Sequence, residues 1–229
     1  MTHGTRGEVE ANLETIRAGI ARAAESAGRD PDGVTLVAAA KTVPVEAIGW
    51  VVEAGVTAVG ENYVSELREK APVFPGVRWH FIGTLQSSTA PRVADLADMV
   101  ETLAGERAIR RLAGRADRAG RVIDALIEVD LTGERSGVRP EDLAEVADLV
   151  ASADGLRLMG LMTLPPVPER AEDARPWYGR LRELRDRLRD THPEVLELSM
   201  GMSLDYQVAV QEGATIVRVG TALFGPRTT

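Results

Sequence analysis

One pattern dominates the chain: eight short runs of β-branched and aliphatic residues, separated by longer stretches with helical periodicity. The runs fall at 34–40, 57–60, 78–83, 99–103, 122–130, 156–162, 195–199 and 215–220. Helical stretches lie between them at 45–54, 63–70, 92–97, 107–119, 141–153, 170–190 and 204–212. A further helix at 8–27 precedes the series, with Val9, Leu13, Ile16 and Ile20 spaced as one buried face. Strand-then-helix alternation favours parallel strands with right-handed crossovers. Eight such units in 229 residues predict an α/β fold, a single (β/α)8 TIM barrel with an extra N-terminal helix; a doubly wound open sheet is the alternative. No linker or low-complexity tract divides the chain, so 1–229 is expected to be one domain with 1–7 and 228–229 as flexible tails. The segment L-P-P-V-P at 164–168 reads as a rigid turn.

Composition narrows the possible partners. Net charge is −8, and acidic and basic residues are interleaved rather than gathered in a basic stripe, which argues against nucleic acid. There is no cysteine, and the three histidines (His3, His80, His192) are scattered, so neither thiolate chemistry nor a metal site is expected. No run approaches the roughly 20 apolar residues of a membrane span, and the first residues lack an apolar signal segment. The expected location is the cytoplasm, away from membranes. Of 27 basic residues only Lys41 and Lys70 are lysine, which makes each lysine worth explaining.

In a barrel of this kind the chemistry sits where strands end and βα loops begin. The runs here end in Lys41, Glu61 with Asn62, Gly83, Thr102, Asp130, Thr163, Ser199, and Gly220 with Thr221, a candidate rim. Lys41 shares strand parity with Ala39 and Val37; small inward neighbours would leave room beside a partly desolvated, nucleophilic amine suited to Schiff-base formation. A lysine snorkelling out from a strand end is an equal alternative. Lys70, closing a helix, reads as a cation at a helix C-terminus.

Two further signals converge on the last strands. The segments S-M-G-M-S (199–203) and G-T (220–221) put glycines and hydroxyls after adjacent strands, a pattern for a phosphate cup, with Ser203 free to cap the next helix. Tight turns with a capped helix are the alternative. Arg218 alternates with Val217 and Val219; if the valines face outward, the guanidinium lies inside the barrel and needs an acceptor, either a ligand atom or Glu197 at matching parity on the neighbouring strand.

Taken together, A-A-A-K-T, G-E-N-Y, W-H-F-I-G-T-L-Q, S-G-V, L-x-G-L-M, S-M-G-M-S and V-R-V-G-T-A-L-F-G resemble the YggS/PROSC family of pyridoxal phosphate homeostasis proteins, in order from about Val34 to Arg227. The resemblance implies a stand-alone alanine racemase barrel (fold type III) that holds pyridoxal 5'-phosphate (PLP) as an aldimine. By position it implies Lys41 as the aldimine lysine and Ser199, Gly201, Gly220 and Thr221 as phosphate-binding positions. Arg218 would face the pyridine nitrogen, and Asn62 would lie near the ring. His80 fits the same match and reads as a buried, satisfied histidine. The chain departs from the family where L-Q-x-N-K is common, having Ser88 and Thr89, and where S-D-D-M is typical, having S-L-D-Y. Those changes put in doubt functions that need the missing lysine, such as transfer or docking.

The resemblance thus implies a PLP-binding homeostasis protein with little or no catalysis, whose further partners would be PLP-dependent apoenzymes; with no second domain expected, a monomer is the simpler expectation. A PLP-dependent amino-acid racemase is the first alternative, but it needs a second acid/base opposite Lys41, and only nine residues follow Gly220. The second alternative is a Schiff-base aldolase acting on a sugar phosphate.

Overall fold

Each of the eight runs forms a strand because its alternate residues have two different apolar surfaces to meet. The structure, a computed structural model, describes residues 4–226. Strands β1 (Thr35–Ala39), β2 (Ala58–Glu61), β3 (Arg78–Phe81), β4 (Met99–Leu103), β5 (Ile123–Glu128), β6 (Leu156–Met162), β7 (Glu197–Ser199) and β8 (Ile216–Val219) pair in parallel in sequence order, and β8 pairs with β1 to close the barrel. Val37, Ala58, Met99, Leu126, Met162 and Ile216 cluster inside it. Their neighbours of opposite parity, among them Ala38, Val59, Val100, Val217 and Val219, pack outward against the helices. This is the closed alternative of the two architectures, and closure leaves no strand edge exposed.

Helices α2 (Val45–Glu53), α3 (Val64–Lys70), α4 (Ala90–Leu96), α5 (Glu106–Arg118), α6 (Leu143–Ala151), α7 (Arg175–Leu188), α8 (Tyr206–Gln211) and α9 (Thr221–Phe224) follow the strands in turn. The N-terminal helix α1 (Arg6–Ser26) packs against α2, α8 and α9. Of the expected tail 1–7, the described residues 4–7 are tied down: Thr5 and Glu8 form a reciprocal capping box, and Gly4 donates to the Phe224 carbonyl at 3.2 Å. Residues 1–3 and the other expected tail, 228–229, lie outside the described residues. Helices α3, α6, α7 and α8 begin later than expected; a 3-10 turn at Pro140–Asp142 precedes α6 and another at Ala171–Ala174 precedes α7. The short α9 was not anticipated, since a four-residue helix offers no periodicity to detect. Among the described residues, no helix is long and apolar enough to cross a membrane.

The two ends of the barrel interior differ. At the N-terminal ends of the strands Asp124 is pinched between Arg78 and Arg157, with Arg157 Nε 2.6 Å from its carboxylate. That cluster closes the floor. Higher up, β6 and β7 approach so closely that a Cβ on Gly160 would lie 2.0 Å from the Glu197 carbonyl oxygen, so only glycine fits there. Gly160→Ala is therefore expected to destabilise the fold by about 1–3 kcal/mol, the usual cost of overpacking. A urea midpoint equal to wild type would show that the strands tolerate a wider gap.

Candidate functional site

The upper barrel holds a chain of buried polar groups that begins with Arg218. β8 directs Arg218 inward, as its valine neighbours require, and leaves it 5% exposed. Its guanidinium donates to the Ser199 hydroxyl, to Glu101 Oε2 at 3.4 Å and to the Thr163 carbonyl at 3.1 Å. Ser199 donates onward to Glu101 Oε2 at 2.5 Å, and His80 Nδ1 lies 2.6 Å from Glu101 Oε1. The carboxylate acceptor for Arg218 is thus Glu101 on β4, not Glu197, the alternative that strand parity offered. Glu197 instead accepts from the Thr215 hydroxyl at 2.5 Å. Burial alone would push the Glu101 carboxyl up, but His80, Arg218 and Ser199 together hold it below its ordinary value. His80 is only half satisfied: its buried Nε2 has no partner among the described residues.

Lys41 follows β1 and is moored from both sides. The carbonyl of Ala40 accepts from Lys70 Nζ at 3.0 Å, and the amide of Thr42 donates to Glu66 Oε2 at 2.8 Å. Lys70 also pairs with Glu61 and Glu66, each at 2.6 Å. This corrects the expectation for Lys70: it is 4% exposed and ties α3 to the Lys41 loop instead of serving as a surface helix cation. Thr42 sits at φ 63°, a conformation costing a non-glycine residue about 1–3 kcal/mol, and it is held beside Lys41 by those ties. Lys41 itself is half-buried, with Nζ 5.1 Å from the centre of the Tyr63 ring.

A cavity of about 410 Å³ opens over Arg218, lined by Ala39, Asn62, Gly220, Thr221, Met202 and Ser203 among others. It gathers four of the candidate residues: Asn62, Arg218, Gly220 and Thr221. Lys41 lines an adjoining cavity, which shares Asn62 with the first. Ser199 and Gly201 line neither. Ser199 is spent between Arg218 and Glu101, while Gly201 (φ 92°) lets the turn press on α8, where a Cβ would lie 2.5 Å from Ala209 Cβ. Ser203 does not cap α8; its hydroxyl accepts from the Ala222 amide of α9 at 3.0 Å, joining the two loops of the cup. Three other rim residues brace the scaffold. Thr102 donates to Gly83, Thr163 to Val129, and Asp130 accepts from the Arg135 amide, the Thr132 hydroxyl and amide, and the Gly133 amide, which hold its carboxyl at about 2 against the effect of desolvation. Glu101 was missed by sequence reasoning. Its signal was a lone carboxylate inside an apolar run, at the inward parity of Met99.

The family model for the N-terminal domain of alanine racemase matches residues 11–228. The chain is 40% identical over 220 residues to a pyridoxal phosphate homeostasis protein of Aquifex aeolicus, covering 94% of this chain and 96% of that one. It is 39% identical over 228 residues to a protein of the same description from Vibrio cholerae, covering 96% of each. Among solved structures, PipY of Synechococcus elongatus with PLP bound superposes with a TM-score of 0.84 at 30% identity, covering 95% of this chain and all of that one.

Two outcomes follow from the buried charges. Removing the acceptor from a buried pair leaves an uncompensated cation, so Glu101→Gln is expected to cost about 3–5 kcal/mol by urea denaturation; a loss under 1 kcal/mol would show that Ser199 and Thr163 suffice for Arg218. Burial, opposed by Lys70, raises Glu61 from 4.5 to about 7. The folded protein then holds a proton that the unfolded chain releases near 4.5, so this contribution is full below that pH and is lost as pH rises towards 7. Glu61→Gln should flatten that part of the stability-against-pH curve, and an unchanged slope would assign it to other groups.

Proposed function

The chain belongs to the alanine racemase N-terminal-domain family, within its pyridoxal phosphate homeostasis branch, and from that premise we propose that it binds PLP over Arg218 and carries it covalently on Lys41. What carries the assignment is the pairing of an amine without an anionic partner among the described residues, on a moored strand end, with a fixed buried cation one cavity away. The residues fit the cofactor. The cavity is of small-ligand size. Arg218 spends three of its five N–H donors on Ser199, Glu101 and Thr163, so donors remain for a ring nitrogen. Asn62 lines the wall beside it, and Met202, Ser203, Gly220 and Thr221 bring two loops together for the phosphate. Ser199 and Gly201 serve this cup from beneath, one fixing Arg218 and the other seating the turn on α8.

PLP supplies an electron sink that is strong only when its ring nitrogen is protonated. Arg218, locked to the Glu101 carboxylate, keeps a permanent cation there and disfavours that proton. Racemisation also needs acid/base groups on opposite faces of a substrate, whereas Tyr63 lies against the Lys41 amine itself, and Tyr178 and Tyr206 are buried. These features favour holding PLP over turning substrates over. PLP-dependent apoenzymes are the matching recipients, and Val167 and Leu204, 84% and 55% exposed at the cavity mouth, offer them apolar contact.

With two lysines, the assignment is decided by one experiment. Wild type with PLP should show the visible absorbance of the lysine-bound cofactor, and borohydride reduction should place the adduct on the Lys41 peptide; Lys41→Ala should lose both. Failure of wild type to show the band, or an adduct on Lys70, would overturn the reading and favour an aldolase on a sugar phosphate.

A further inference from the structure

The adjoining cavity, about 560 Å³, is larger than the one over Arg218. Lys41, Arg68 and Arg92 line it with Tyr63, Ser65, Thr84 and Thr89, and among the described residues no acidic one contributes to its wall. No described residue forms a hydrogen bond or ion pair with the charged end of any of the three; the contact of Lys41 is with the Tyr63 ring. In a chain of net charge −8 an acid-free wall with three cations is notable, since elsewhere arginines such as Arg115, Arg175 and Arg182 find carboxylates. Of the acids on the same two helices, Glu66 holds Thr42 and Lys70, and Asp95 holds Arg115.

We propose that this cavity binds a small oxyanion, a carboxylate or phosphate, between Arg68, Arg92 and Lys41, and that its occupation promotes release of the cofactor. The proposal rests on Lys41 carrying PLP. Release would consume one water: the C=N bond between Lys41 and the cofactor's aldehyde carbon would be hydrolysed, the oxygen would stay on that carbon, and the freed amine would leave as an ammonium that keeps the proton already on the linkage nitrogen. In this structure that amine lines the arginine cavity, away from the Arg218 cavity. An anion there pairs with the ammonium and so stabilises the released state. By linkage, bound PLP weakens the anion to the same degree.

The test measures PLP affinity by the visible band as sodium phosphate or sodium acetate replaces sodium chloride at constant ionic strength. In wild type the apparent Kd for PLP should rise about fivefold or more, within the usual span of coupling between sites. Arg68→Gln/Arg92→Gln, altered at exposed side chains, should keep the band in chloride and lose the response. A response to acetate identifies a carboxylate ligand, and a response to phosphate alone a phosphate ester. A phosphate effect of equal size in the double variant is competition at the phosphate cup and overturns the proposal, as does the absence of any anion effect. Should Lys41 prove not to carry PLP, calorimetric titration of phosphate and acetate into cofactor-free wild type and double variant still decides whether the site exists: binding lost in the variant supports it, and equal binding refutes it.

Discussion

The upper barrel depends on the contact between Arg218 and Glu101. Neither charge is tolerable alone at 5% and 0% exposure, and each is placed by a strand whose other residues are committed to apolar packing. The pair spans the barrel from β8 to β4, so closing the sheet and neutralising the interior are the same event. Ser199 fills the gap between them, Thr163 contributes its carbonyl, and His80 takes the second carboxylate oxygen. A buried pair of this kind adds little net stability compared with apolar packing, while losing one partner costs about 3–5 kcal/mol, a large share of the about 5–15 kcal/mol that holds a domain folded. On the proposed function its value lies in the cavity above it, where a cation fixed in position would govern the electronics of a ring resting on it.

A second cluster does for Lys41 what the first does for Arg218. Lys70, Glu61 and Glu66 grip the backbone on both sides of Lys41 and support the strained Thr42 between them. The two lysines are therefore linked: the buried Lys70 fixes the peptide from which Lys41 extends. That division gives the scarcity of lysine a physical reading. Arginine supplies the other basic positions in this chain, Lys70 fits a compact ammonium between two carboxylates, and Lys41 is the position where the proposed function needs an amine that arginine cannot supply.

The architecture was legible in the sequence because strand and helix periods differ, and eight alternations leave few closed solutions. All eight strands fall within the apolar runs or one residue of them. Boundaries were less legible where 3-10 turns replace the first helical turn, since the same polar residues suit both. Lys41, Asn62, Arg218, Gly220 and Thr221 were singled out through strand-end position, parity and the family resemblance, all readable in one dimension, and the structure sets Asn62, Arg218, Gly220 and Thr221 on one cavity and Lys41 on the next. The partners were not found, because pairing across a barrel depends on register and on which strands lie opposite. Parity placed Glu197 on the correct side of β7, yet Glu101, a full strand system away in sequence, reaches the guanidinium. Lys70 was misread for a related reason: helix position predicted an exposed end, and only the packing of α3 over β2 shows the Glu61 carboxylate beneath it.

The separation of the amine from the ring cation has a consequence for what such a site is suited to do. A catalyst gains by holding its reacting groups in one geometry through the cycle, because each reorganisation adds to the barrier. Here the backbone on both sides of Lys41 is held by hydrogen bonds, and its side chain lines the cavity of Arg68 and Arg92, which shares Asn62 with the cavity built around Arg218. On the proposed function, the amine would have to turn from one cavity to the other to hold the cofactor, and turning back would release it without unfolding anything. Such a site would suit carriage of a reactive aldehyde better than turnover of a substrate.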